Sequence, residues 1–117
     1  MRVVAAAAAG YADAGYFTIV DGIVIPAWFL QPLREALADA GHPAAYAVLR
    51  APLEACTERA ERREGPFLAD PDVIRQLWES FADLGELEPN AVELGGELPE
   101  AVADIVAARL EAGELRL

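Results

Sequence analysis

The stretch Ala45-Tyr46-Ala47-Val48-Leu49-Arg50-Ala51-Pro52-Leu53, continued to Asp70, decides how this chain is read. Its first six residues are an apolar run of strand length that ends on a cation, and Pro52 opens a new element. From Pro52 to Glu64 the residues Leu53, Cys56 and Ala60 recur at helical spacing, while Arg59, Arg62 and Arg63 gather before Gly65-Pro66-Phe67. A strand that feeds a helix within a few residues is half of a crossover unit. Such units build parallel sheets with ligands at the carboxyl ends of the strands. The three arginines carry two readings: a fork that grips phosphate oxygens in two-point contact, or cations at the negative end of a helix paired with Glu58, Glu61 and Glu64.

At 117 residues the chain has the length of one domain, and the formal charge of -11 comes from twenty acids against nine bases. All nine are arginines. Such acidity argues against nucleic acid and anionic membrane surfaces as partners, because both demand a cationic footprint. Cys56 is the single cysteine, so no internal disulfide forms and a reducing, cytoplasmic location is expected. Its place on an apolar stripe makes it a buried small hydrophobe.

In chain order, the alanine-rich Val3 to Ala14 predicts a helix capped by Gly15. Tyr16-Phe17-Thr18-Ile19-Val20, β-branched and aromatic without polar alternation, predicts a strand covered on both faces and closed by Asp21-Gly22. Ile23 to Leu30 reads as a loop or short turn. Pro32 opens a helix that runs to Ala40, and Ala45 to Arg50 is the second strand. Asp70-Pro71 is a cap followed by proline at the first helical position, with Val73, Ile74, Leu77, Trp78 and Phe81 on one face. Ala91 to Leu94 is a third strand, and Pro99 opens a last helix with Val102, Ile105, Val106 and Leu110 inward. Glu86 to Pro89 and Gly113 to Leu117 read as mobile. This alternation predicts an α/β domain over 1–117: a three-layer sandwich of helices around a parallel sheet, with strands near 16–21, 45–50 and 91–94 and a lid near 59–70.

Phe17-Thr18-Ile19-Val20-Asp21-Gly22, Val48-Leu49-Arg50-Ala51-Pro52-Leu53 and Arg59-Ala60-Glu61-Arg62-Arg63-Glu64-Gly65-Pro66-Phe67-Leu68 together resemble the carboxyl-terminal part of the P-loop kinase-like phosphotransferases. That group includes gluconate kinase, shikimate kinase, chloramphenicol phosphotransferase and zeta-toxin-like ATPases. The resemblance implies an ATP-dependent small-molecule kinase using ATP and Mg2+. In it, Asp21 would hold the Mg2+ through bound water and Arg59 would lie against the adenine. Arg63 would reach the transferred phosphate, and Trp28 and Arg75 would face the acceptor. Trp28 and Phe29 read equally well as core.

The glycine-rich G-x-x-x-x-G-K-[ST] loop of these kinases is absent from the 117 residues. In the family its strand lies between the two that correspond to Tyr16–Val20 and Ala45–Arg50. The expected result is an incomplete fold, inactive as given, with weak nucleotide binding. The competing expectation is a non-enzymatic module of the same fold that forms a homodimer through the open sheet.

Overall fold

A computed structural model describes residues 2–62 and 70–117. Arg63 and the Gly65-Pro66-Phe67 of the expected lid lie outside the described residues. The chain divides into two compact units, residues 1–46 with 116–117, and residues 47–115.

The first unit is built on two helices, α1 (Arg2–Asp13) and α2 (Gln31–Asp39), which pack against each other. Alanine is the strongest helix former, and its small side chain lets α1 approach its neighbour closely. Ala5, Ala8 and Ala9 are buried with Val24, Ile25, Leu30 and Leu33. Gly15 and Gly41 follow the two helices with φ of 87° and 76°, the left-handed cap that residues with a Cβ avoid. Between the helices, Pro26–Leu30 makes one wide π-helical turn. His42 Nε2 lies 2.8 Å from Asp13 Oδ1 and ties the end of α2 to the end of α1.

Tyr16–Val20 corrects the expectation of a strand covered on both faces. It joins no ladder, and Phe17 and Ile19 are 77% and 78% exposed. The residues have the right composition, but a strand needs a neighbour, and none of the described residues supplies one. The carboxyl-terminal tail, expected to be mobile, is held: Ala45 and Arg116 form an antiparallel bridge, and the Leu117 amide donates to the Ala44 carbonyl.

The Tyr46 hydroxyl donates to the Val24 carbonyl at 2.7 Å, and burial pushes the phenol up from 10.0 to about 12. A phenol with a raised folded value contributes stability that is complete below pH 10 and is lost as pH climbs toward about 12. Stability measured at stepped alkaline pH is therefore expected to fall across this window in the native chain and to fall less in Tyr46→Phe. Equal alkaline losses in the two proteins would exclude the phenol as the cause.

The second unit holds the sheet. Strands β1 (Val48–Arg50) and β2 (Ala91–Glu93) pair in parallel, with Val48 opposite Ala91, Leu49 opposite Val92 and Arg50 opposite Glu93. The Leu94 amide continues the ladder to the Arg50 carbonyl at 2.9 Å. The parallel α/β expectation holds in this coarse form, with shorter strands than expected: the second strand begins at Val48, and Leu49 is more than half exposed.

Three helices accompany the sheet: α3 (Leu53–Glu61), α4 (Pro71–Glu79) and α5 (Pro99–Glu111). α3 packs on α4. The expected cap of α4 forms, with Asp70 Oδ1 accepting from the Asp72 amide at 2.9 Å. On α5, Val102, Val106 and Leu110 are half-buried, whereas Ile105 is exposed. The segment 86–89, expected to be mobile, lies within a 3-10 helix over Gly85–Asn90. Val48, Ala51, Ala60, Leu84, Val92 and Leu115 are the buried apolar residues of this unit.

Candidate functional site

The carboxyl ends of β1 and β2 meet at a hollow of about 320 Å³ lined by Arg50, Ala51, Pro52, Trp78, Glu93 and Leu94. Parallel α/β sheets present their ligand sites at this edge because the strands end there and the connections diverge. Two side chains shape the hollow. Trp78, from the inward stripe of α4, donates its indole N–H to the Ala51 carbonyl at 2.9 Å, which fixes the helix against the end of β1. Cys56 is half-buried nearby in sequence, its thiol 3.9 Å from the same carbonyl.

Arg50 is the second. Its Nε donates to Glu93 at 2.6 Å, its Nη2 to Glu88 at 3.0 Å, and its Nη1 to the carbonyls of Phe81 and Ala82, each at 3.1 Å. The side chain is 17% exposed, against 44% and 65% for its two carboxylate partners. The hydrogen bonds it donates to Glu88 and then to Glu93 raise the guanidinium's pKa further above its ordinary value. Glu88 is held below the usual carboxylate range, first by Arg50 and then by the Leu84 amide. The guanidinium is thus neutralised by two acids and two carbonyls, which makes it a lock between β1, β2 and the chain after α4. A phosphate would have to displace those partners.

The connection out of β2 borders the same edge. Glu97 folds back so that its carboxylate accepts from the Gly95 amide at 2.7 Å. Its own amide and that of Gly95 lower its pKa. Beyond it, Arg109 of α5 donates to the carbonyls of Ala91 and Pro89 and to Glu114, which pins the last helix to the start of β2.

The site residues expected from the sequence are distributed differently. Arg59 stands exposed in the last turn of α3 and Arg75 stands exposed on α4, neither with a carboxylate partner among the described residues. Arg62 is engaged with Glu58 at 3.5 Å, the helix-end pairing that the second reading of the arginines foresaw. Arg63 lies outside the described residues. Asp21 and Trp28 belong to the first unit, Asp21 exposed and Trp28 66% exposed, its ring edge-on to Phe29. The core reading of Trp28 is therefore corrected.

Among the described residues no three His, Cys, Asp or Glu side chains gather into a metal-ligating group. A lone exposed Asp21 carboxylate is too small a donor set for a resident Mg2+, which takes six oxygens in near-octahedral array. No described helix is long and apolar enough to cross a membrane.

Sequence reasoning missed Trp78 and Glu93 as parts of the site. Trp78 had been placed on a core stripe, and only its indole nitrogen, which needs an acceptor when buried, hinted at more. The fold and this edge define an α/β protein with a parallel pair of strands and an arginine-locked hollow at their carboxyl ends. No family model matches the chain, and no curated protein matches it.

Proposed function

We propose that these residues are the part of an ATP-dependent small-molecule phosphotransferase that follows the glycine-rich loop, a P-loop kinase-like fold that is three-layered only when that loop's strand is in place. One observation carries the reading. Tyr16–Val20, strand-forming in composition, has no ladder partner among the described residues and leaves Phe17 and Ile19 exposed, which fits a segment whose neighbouring strand is not among them. The hollow at the carboxyl edge of β1 and β2 supports the same reading, as does the exposed Arg59 of α3, which has no carboxylate partner among the described residues. In the complete enzyme Arg59 and Arg63 act on the nucleotide, Asp21 on the Mg2+ that enters with ATP, and Trp28 and Arg75 on the acceptor. Alone, the chain retains weak nucleotide binding and no phosphoryl transfer.

The test uses Trp78 as reporter. In a Trp28→Phe background Trp78 is the only tryptophan, and ATP with Mg2+ at millimolar concentration is expected to change its emission in a saturable way. Arg59→Ala should raise the half-saturating concentration several-fold, since an exposed cation contributes modestly to phosphate binding. Emission and titration heat that stay flat to the highest nucleotide concentration would sink the proposal.

The same exposed segment favours a second reading, a non-enzymatic module that works by association.

A further inference from the structure

We infer that Tyr16–Val20 is a self-pairing edge through which two copies of this chain associate as a two-fold antiparallel β-pair centred on Thr18. The inference rests on the unladdered segment and on nothing in the phosphotransferase reading, so nucleotide binding and dimerisation fail separately.

The first argument is the hydrogen-bond inventory. The Tyr16 amide is already engaged with the Tyr11 carbonyl at 3.1 Å, while the amides of Phe17 and Ile19 meet no acceptor among the described residues. In an antiparallel pair only alternate residues exchange backbone bonds with the partner strand. With Thr18 facing Thr18 as the non-bonded pair, the bonded residues are Phe17 and Ile19, whose amides are open, and Tyr16, whose amide is taken, falls at a non-bonded position. The register that leaves the Tyr16 bond intact is thus the register that satisfies its neighbours.

The second argument is side-chain pattern. In that register Phe17 faces Ile19 on one side of the ribbon, and on the other Tyr16 faces Val20 while the two Thr18 face each other. Each aromatic meets a β-branched residue, the favourable cross-strand combination, with a threonine pair at the axis.

Charge supplies the third. A chain of net charge -11 resists self-association, yet residues 14–20 carry no charge, and this register sets Asp21 opposite Gly15. The two copies' Asp21 then lie roughly 20 Å apart along the ribbon at 3.3 Å per residue, beyond the screening length of about 10 Å at 0.1 M salt. Two exposed aromatics and two β-branched residues bury on the order of 400 Å² per copy, half of the roughly 800 Å² typical of a stable partner surface. The dimer is therefore weak and concentration-dependent, and it tightens as salt screens the remaining acids.

Sedimentation velocity of the full chain is expected to show a monomer at low micromolar concentration that converts to dimer toward millimolar, with the midpoint shifting several-fold lower when salt is raised. Ile19→Pro, which removes one of the bonding amides, should remain monomeric with an unchanged melting curve. Val3→Lys, on exposed helix surface, should dimerise like the native chain. Register is read separately by oxidation in a Cys56→Ser background. Thr18→Cys should cross-link at least tenfold faster than Val20→Cys, because paired axis residues sit within disulfide reach while the two copies of residue 20 are roughly 13 Å apart. A monomer at all concentrations and salts, a dimer untouched by Ile19→Pro, or equal cross-linking at the two positions would each overturn the inference.

Discussion

Replacing Arg50 with methionine is expected to lower the unfolding free energy by about 2 kcal/mol, within the range for hydrogen bonds made by a charged group. Methionine keeps the length of the aliphatic stem, so the change isolates the guanidinium. The exposed carboxylates of Glu88 and Glu93 regain water when the cation is gone and account for little of the loss. The carbonyls of Phe81 and Ala82, each 3.1 Å from Nη1, account for more, because they bind the chain after α4 to the end of β1. Arg50→Lys should recover only a minor part, since one ammonium has neither the span nor the planar fork to reach Glu88, Glu93 and both carbonyls together. Denaturant titration of the three proteins measures this directly, and a methionine variant as stable as the native chain would show that the lock contributes nothing.

Acid pH offers an independent check. The Glu88 pKa is depressed by Arg50, so its contribution is present above the unfolded value of 4.5 and is lost as pH falls through the lower folded value. In the methionine variant the first-named cause is absent, and the acid limb of the stability curve should flatten.

Leu115→Ala is expected to cost about 3 kcal/mol, within the range for a buried leucine truncated in a core that relaxes incompletely. Leu115 is 1% exposed, the most completely buried large side chain among the described residues. It lies only two positions from the last residue given, where fraying is the usual expectation. Arg109 bonded to Glu114 at 3.1 Å and the Glu114 amide bonded to the Arg109 carbonyl at 3.0 Å turn the chain back after α5 and drive Leu115 inward. Deleting the last two residues removes the Ala45–Arg116 bridge but leaves Leu115 in place, so that truncation should be milder than the single substitution. A loss below about 1 kcal/mol for Leu115→Ala would mean that the terminus packs far more loosely than its burial indicates.

The helices of this protein were legible because their determinants are local. Asp70-Pro71 caps and starts α4 within two positions, Pro99 opens α5, and Gly15 and Gly41 take the left-handed conformation after α1 and α2. The parallel direction of β1 and β2 followed from the strand–helix spacing around Pro52, whereas their direct pairing is seen only in the structure. The Tyr16–Val20 strand did not follow from its composition. β-branched and aromatic residues report a fit to a pleated surface, and whether such a surface is offered depends on residues elsewhere. The arginine cluster divided in the same way: Arg62 took the helix-end role, while Arg59 stayed free of carboxylates among the described residues.

By itself the sequence determined what short-range chemistry determines: the helices of the described residues, the caps at Gly15, Gly41 and Asp70, and two strands that run parallel. Tertiary structure alone decided that Arg50 is a lock, because Glu88 and Glu93 lie 38 and 43 residues further along the chain and no spacing rule connects them. It likewise decided that Trp78 shapes a hollow as well as a core, that Leu115 is buried two residues from the end, and that Tyr16–Val20 has no ladder partner among the described residues. The physical reason is the same in each case: capping and helical periodicity are satisfied within a few residues, whereas ladders, ion networks and burial depend on groups that only folding brings together.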